Sequence, residues 1–172
     1  GLPGPRWIAV EIYLATLLFI GDVDNRTADE IVDRLDRIER PEFQISLNGI
    51  GSFGSKKPHS IWAGVSPSQE MAALQAEIER ICQGIGLPPD PRKFMPHVTL
   101  ARLKACRLDG VVRYLSGRGD FHTLPFKASR FVLMSSKESV GGGPYIVEEG
   151  FPLTEVRSGT NWSSVEPIKS FI

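Results

Sequence analysis

The stretch Phe94-Met95-Pro96-His97-Val98-Thr99-Leu100-Ala101-Arg102 constrains the chain more than any other. Its VTLARL run is apolar and β-branched, the composition of a strand, and Pro96 suits a strand's first position, where no amide is needed for the ladder. Strand side chains alternate, so period two puts His97, Thr99 and Ala101 on one face and Val98, Leu100 and Arg102 on the other. An imidazole that trades protons near neutral pH and a hydroxyl that hydrogen-bonds anions can, side by side, grip one tetrahedral oxyanion. Taken alone, such a pair serves the packing of a half-buried strand more often than it serves chemistry.

A second stretch is built the same way. Tyr13-Leu14-Ala15-Thr16-Leu17-Leu18-Phe19-Ile20-Gly21 is another apolar strand with Thr-Leu at its centre, and it aligns with the first when Thr16 is laid on Thr99. Self-similarity of this kind implies two related lobes, each lending one strand to a shared cleft.

With both stretches in view, the chain resembles the two-histidine phosphoesterase superfamily, whose signature is His-x-Thr-x occurring twice. Within it the chain is similar to the bacterial RNA 2',3'-cyclic phosphodiesterases once described as RNA ligase-like proteins. The likeness runs from Arg6 to Leu153: RWI before the first motif, FIGDVD after it, the hairpin GIGSFGSKKPHSIWAGV, the block GLPPDPRKFMPHVTLARLK, and a closing GGGPYIVEEGFPL. It implies an α+β fold of two pseudo-symmetric lobes of antiparallel sheet, with helices packed outside and a cleft between the lobes. It also implies a metal-free, cofactor-free hydrolysis of 2',3'-cyclic phosphate ends of RNA or nucleotides to 2'-phosphomonoesters. In that reaction His97 is the proton acceptor, Thr16 and Thr99 hold phosphoryl oxygens, and Arg102 offsets the charge that builds in the transition state. The chain departs from the pattern at one place: the first motif's histidine is Leu14. Leucine neither gives nor takes a proton, so the donor to the ribose 3'-oxygen is missing. The resemblance therefore implies impaired hydrolysis, with a non-catalytic binder of phosphate-ended RNA or nucleotides as the alternative and a decayed product as a third.

The 172 residues suffice for one substantial core or two small lobes sharing one, and 41% hydrophobic with 23% charged residues is ordinary globular composition. Twenty basic and twenty acidic residues cancel, which argues against coating long nucleic acid but leaves room for gripping one phosphate at an RNA end. No apolar run reaches membrane-spanning length and no signal peptide is legible, and Cys82 and Cys106 without a disulfide framework read as reduced cytoplasmic thiols. Relatives usually begin with a further strand and helix, so a shortened start is expected to leave a sheet edge and an apolar face exposed. The expected division is one two-lobed domain over 1–154 and a tail over 155–172, with no protein partner indicated.

Taken in order, Asp24 to Thr27 offers caps for a helix reaching about Arg40, with Ile31, Val32, Leu35 and Ile38 at helical spacing and Pro41 as its stop. Phe43 to Phe53 alternates as one strand, and Gly54 to Pro58 turns it into a second, Ser60 to Val65. Ser66-Pro67-Ser68-Gln69 reads as a helix start with Ser66 as cap, and the helix buries Met71, Leu74, Ile78 and Ile81 and ends at Gly84 and Gly86. Leu108 to Leu115 is a short helix, while Phe126 to Ser136 and Tyr145 to Leu153 are strands joined through Gly141-Gly142-Gly143.

His59 mimics the motif in HSIW but has Ile61 where a threonine is needed, so it reads as part of a structural hairpin, and His122 reads as solvent-facing or capping. Scattered His and Cys offer no metal-ligand spacing. The glycine run lacks the Gly-Lys-Ser/Thr ending of a phosphate loop, and Lys56 and Lys57 suit a solvated turn. Arg102 is either a bidentate phosphate clamp or one half of an ion pair at a strand end.

Overall fold

The computed structural model describes residues 4–9, 13–135 and 145–155, together with the backbone of Lys169–Phe171. Glycines 141–143 and the rest of the stretch after Glu155 lie outside the described residues. The chain is α+β: strands β1 (Pro5–Trp7), β2 (Leu14–Thr16), β3 (Phe43–Ile45), β4 (Leu47–Phe53), β5 (Ser60–Val65), β6 (His97–Leu103), β7 (Phe126–Ala128), β8 (Arg130–Ser135), β9 (Ile146–Pro152) and β10 (Lys169–Phe171), and among the described residues helices α1 (Asn25–Leu35), α2 (Gln69–Ile85) and α3 (Leu108–Ser116).

The main sheet runs β4-β5-β6-β2-β10-β8-β9, and β1 shares with β2 the edge of β6 that β5 leaves open. Most pairs are antiparallel, but β10 runs parallel to both neighbours, with Ser170 opposite Ala15 on one side and Phe131 on the other. Lys169–Phe171 thus lies in the sheet, within the stretch expected to be a tail. The β2 edge that faces away from β6 carries β10, so at this place the expected exposed sheet edge is covered.

One face of the sheet packs on α1 and α2. Ala15, Ala63, Val98, Phe131 and Phe151 meet Ile31 and Leu35 of α1 and Met71, Leu74 and Ile78 of α2 in one core cluster, burying the apolar stripes that helical spacing had marked. Arg40 Nε donates to the Glu77 carboxylate, tying the segment after α1 to α2. A smaller cluster of Ile61, Ala101, Leu103 and Val111 seats α3 at the far end.

Besides β2, which is confined to Leu14–Thr16 within its longer expected strand, four boundaries differ from the expectations. First, α1 stops at Leu35, because Arg37 and Ile38 bond back three residues instead of four and tighten the last turn, which still buries Ile38. Second, the cap of α2 is Ser68 rather than Ser66: its Oγ accepts from the Met71 amide at 3.2 Å. Third, Phe43 to Phe53 is two strands, since β3 pairs with β7 in a separate two-stranded sheet and the chain crosses into the main sheet at Ser46. The crossing is held by the Leu47 amide donating to Thr123 Oγ1 and the Gly49 amide to the Phe121 carbonyl. Fourth, Phe126 to Ser136 likewise divides between β7 and β8, one in each sheet.

A candidate phosphate-binding face on paired strands

The two motif strands are hydrogen-bonded neighbours. In the antiparallel pair β2–β6, Ala15 lies opposite Val98, a register that sets Leu14 opposite Thr99 and Thr16 opposite His97. Ala15 and Val98 are each 1% exposed and point into the helix-covered core. Their neighbours alternate to the other face, where Leu14, Thr16, His97 and Thr99 are all half-buried. A two-fold axis through the Ala15–Val98 pair exchanges Leu14 with His97 and Thr16 with Thr99, the same correspondence that aligns the motifs. Residues directly opposite have Cβ atoms about 5 Å apart and diagonal ones about 7–8 Å, so the four side chains frame a patch the size of one phosphoryl group.

His97 is oriented by its own backbone neighbourhood. Its Nδ1 lies 2.9 Å from the Met95 carbonyl oxygen. A carbonyl can only accept, so Nδ1 carries the proton and the neutral ring keeps Nε2 as a free acceptor. The ring is flanked by aromatic neighbours: the Phe53 centroid is 5.0 Å away in an edge arrangement and that of Trp62 is 6.2 Å away. Trp62 faces Thr99, and Gly64 faces His97, across the β5–β6 pair.

Arg102 joins this face, contrary to the period-two expectation. Pairing runs Trp62 with Thr99 and then Ile61 with Ala101, so Leu100 is an extra residue, a β-bulge. Beyond it the alternation inverts: Ala101 is buried in the second core cluster with its partner Ile61, and Arg102 turns to the His97 and Thr99 side, exposed. Among the described residues no carboxylate pairs with Arg102, which leaves its guanidinium available to an anion.

The loop before β6 is clamped to the end of the β2 segment. Arg92 donates through Nε and a terminal nitrogen to both oxygens of Asp90, at 2.9 and 2.8 Å, and its guanidinium lies over the Phe19 ring at 4.9 Å. The hydrogen bonds from Arg92 hold the Asp90 carboxyl below the usual carboxylate range. This link between the two motif segments escaped the sequence reading, because Arg92 and Phe19 are far apart in the chain.

Among the described residues, β2 itself carries no titratable side chain in place of the histidine absent at Leu14. Tyr13 packs against the core cluster, and burial, followed by the charge of Tyr114, pushes its phenol up. His59 is exposed beside Phe53, with its Nδ1 3.4 Å from Ser60 Oγ, and His122 is exposed with Nδ1 on the Asp120 carbonyl. Among the described residues no group of three His, Cys, Asp or Glu side chains lies together to hold a metal ion, and no helix is long and apolar enough to cross a membrane. A hollow of 880 Å³ opens beside the face, lined by Leu14, Thr16, Phe19, Ile31, Tyr145 and Glu148 among others.

Residues 15–139 match the family model of the 2'-5' RNA ligase superfamily. The chain is 37% identical over 129 residues to the RNA 2',3'-cyclic phosphodiesterase of Aeropyrum pernix, covering 73% of each chain. It is 29% identical over 156 residues to the protein of the same name from Aquifex aeolicus, covering 86% of this chain and 81% of that one. In fold it is similar to E. coli LigT solved with 3'-AMP, at a TM-score of 0.68 and 21% identity, over 88% of this chain and 82% of LigT. A Thermus thermophilus structure is similar at a TM-score of 0.69 and 22% identity, over 87% and 82%.

Proposed function

The chain belongs to the 2'-5' RNA ligase superfamily, among the RNA 2',3'-cyclic phosphodiesterases, and we propose that its site is built to open 2',3'-cyclic phosphate ends of RNA or nucleotides to 2'-phosphomonoesters, with hydrolysis impaired by Leu14. One observation carries the reading. His97 is anchored through Nδ1, so that Nε2 is an acceptor, on the same face as both motif threonines and diagonal to Leu14.

The strained cyclic phosphate sits between Thr16 and Thr99, whose hydroxyls donate to its non-bridging oxygens. Nε2 of His97 takes a proton from a water as that water attacks phosphorus. Arg102 reaches the phosphoryl oxygens from beyond the bulge and offsets the negative charge of the transition state. The bond to the ribose 3'-oxygen then breaks, and that oxygen needs a proton. With Leu14 at the donor's position the proton comes from water, so the rate falls by the worth of one general acid, about 10²- to 10⁴-fold. Neither a metal nor a cofactor is needed to balance these steps.

The second reading is a non-catalytic binder of phosphate-ended RNA or nucleotides. It is favoured by the retention of Thr16, Thr99 and Arg102 on one face from which the proton donor alone is missing. We also place the protein in the cytoplasm, supported by its two free thiols, and in a bacterial setting such as that of the Aquifex relative.

Hydrolysis of nucleoside 2',3'-cyclic phosphates by this chain, by Leu14→His and by Leu14→His with His97→Ala tests the reading. Leu14→His is expected to gain about 10²- to 10⁴-fold, and the added His97→Ala to remove the gain. No gain, with nucleoside 2'-phosphates still bound, favours the binder. Neither hydrolysis nor binding rejects both.

A further inference from the structure

Two arginines share one rung of the sheet on the phosphate-binding face. In the antiparallel pair β1–β6, Arg6 lies directly opposite Arg102, between the rungs of Pro5 with Leu103 and Trp7 with Ala101. Trp7 turns to the α3 side, where its ring is 5.8 Å from that of Tyr114, itself covered by the Arg118 guanidinium at 4.0 Å. Alternation then sends Arg6 to the other side, the one that Arg102 reaches through the bulge at Leu100. Both arginines are exposed. The Ile8 amide donates to the Leu100 carbonyl at 2.9 Å and continues the attachment of this short strand to β6.

Side chains directly opposite in an antiparallel pair stand about 5 Å apart at Cβ, and like charges placed so repel. The repulsion is offset when an anion lies over the rung. The Leu103 amide donates to the His59 carbonyl at 2.8 Å, which brings the turn between β4 and β5, with its exposed Lys56 and Lys57, to the same end of the sheet. Beyond β2 the face opens instead on the hollow, whose lining includes Asp22, Asp29 and Glu148. A polyanion with one phosphate between Thr16 and Thr99 is therefore drawn toward the arginine rung and repelled from the hollow.

We propose that Arg6 holds the phosphate on the 5' side of the terminal ribose, with Arg102 standing between it and the reacting phosphoryl group, so that the site favours 5'-phosphorylated ends and longer RNA over nucleosides. This rests on the proposed reading of the phosphate-binding face and adds a second anion subsite to it. Pairing runs from Trp62 with Thr99 to Ser60 with Arg102, so two residues of β5, about 7 Å, separate the Thr99 rung from the arginine rung. That is the span of one nucleotide in an extended backbone. Each guanidinium then faces an anion of its own, and the planar fork of Arg6 takes two oxygens of one phosphate.

The test is calorimetric titration of the full chain with adenosine 2'-phosphate and adenosine 2',5'-bisphosphate, followed by the same titrations of Arg6→Gln and Arg113→Gln. The bisphosphate is expected to bind about tenfold tighter in the unmodified chain, the worth of one charge-assisted contact. Taken within each variant, that ratio falls to near one in Arg6→Gln. It is kept in Arg113→Gln, which removes the same charge from α3, on the far side of β6. Because the ratio compares two ligands on one protein, a general disturbance of the first phosphate site cancels. A ratio near one in the unmodified chain, or a preference that survives Arg6→Gln, overturns the second subsite and leaves the first standing. An equal fall in Arg113→Gln assigns the preference to net charge and overturns it too. If neither ligand binds, the phosphate-site reading falls and the role of Arg6 with it.

Discussion

Leu14 and His97 occupy symmetry-related positions on paired strands, and the difference between them is one ionisable ring. In the proposed reading the hydroxyls at residues 16 and 99 are the groups that hold the phosphate. Thr16→Val and Thr99→Val keep shape and remove one charge-assisted hydrogen bond, so each is expected to weaken nucleoside 2'-phosphate binding by roughly tenfold to a hundredfold in a titration. The cysteines make a second contrast at this scale. Burial, helped by the charge of Glu79, pushes the Cys82 thiol up to about 11, whereas Cys106 is half-exposed. A raised folded-state value means that the neutral buried thiol contributes stability fully below the ordinary thiol range. That contribution is lost as pH rises through about 11. At pH 9 an alkylating reagent is expected to modify Cys82 roughly a hundredfold more slowly in the native chain than in denaturant, with Cys106 reacting in both.

Individual elements respond to glycine according to backbone conformation. Gly54 requires positive φ and has no room for a Cβ, so Gly54→Ala is expected to cost at least about 1–2 kcal/mol in a denaturant melt. Gly84 lies inside α2 with open space around it, so Gly84→Ala is expected to gain about 0.5–1 kcal/mol in the same measurement. Losing the Asp24 cap, whose carboxylate accepts from the Thr27 amide at 2.8 Å, is expected to lower the denaturation midpoint in Asp24→Ala. These elements were legible in the sequence because period and cap chemistry are local. The cap of α2 was misplaced by two residues because Ser66 and Ser68 offer the same hydroxyl. What separates them is where the chain leaves β5: the Ser66 amide bonds back to the Ser46 carbonyl, holding that residue out of the helix.

At the scale of the whole molecule, the sheet is joined across its middle by β10, whose Ser170 pairs with Ala15 and Phe131 at once. A proline there removes an interior ladder bond and is expected to cost about 3 kcal/mol, lowering the melting temperature by about 6–12 °C. Thermal unfolding of Ser170→Pro against Ser170→Ala measures it. A small effect would mean that Lys169–Phe171 does not bear on the joint between the halves.

The sequence by itself determined the three described helices and most of the strand segments, the motif pair, the missing histidine and the family, because those depend on side-chain periodicity and residue identity along one stretch at a time. It also marked His97, Thr16 and Thr99 as one constellation, through the likeness of two strands. Only the tertiary structure decided that these strands are direct neighbours, that a bulge at Leu100 carries Arg102 to their face, and that Phe53 and Trp62 flank His97. Pairing partners, bulges and ring contacts are set by which strands pack together over long chain separations, where many registers satisfy the same local pattern and the buried core selects one.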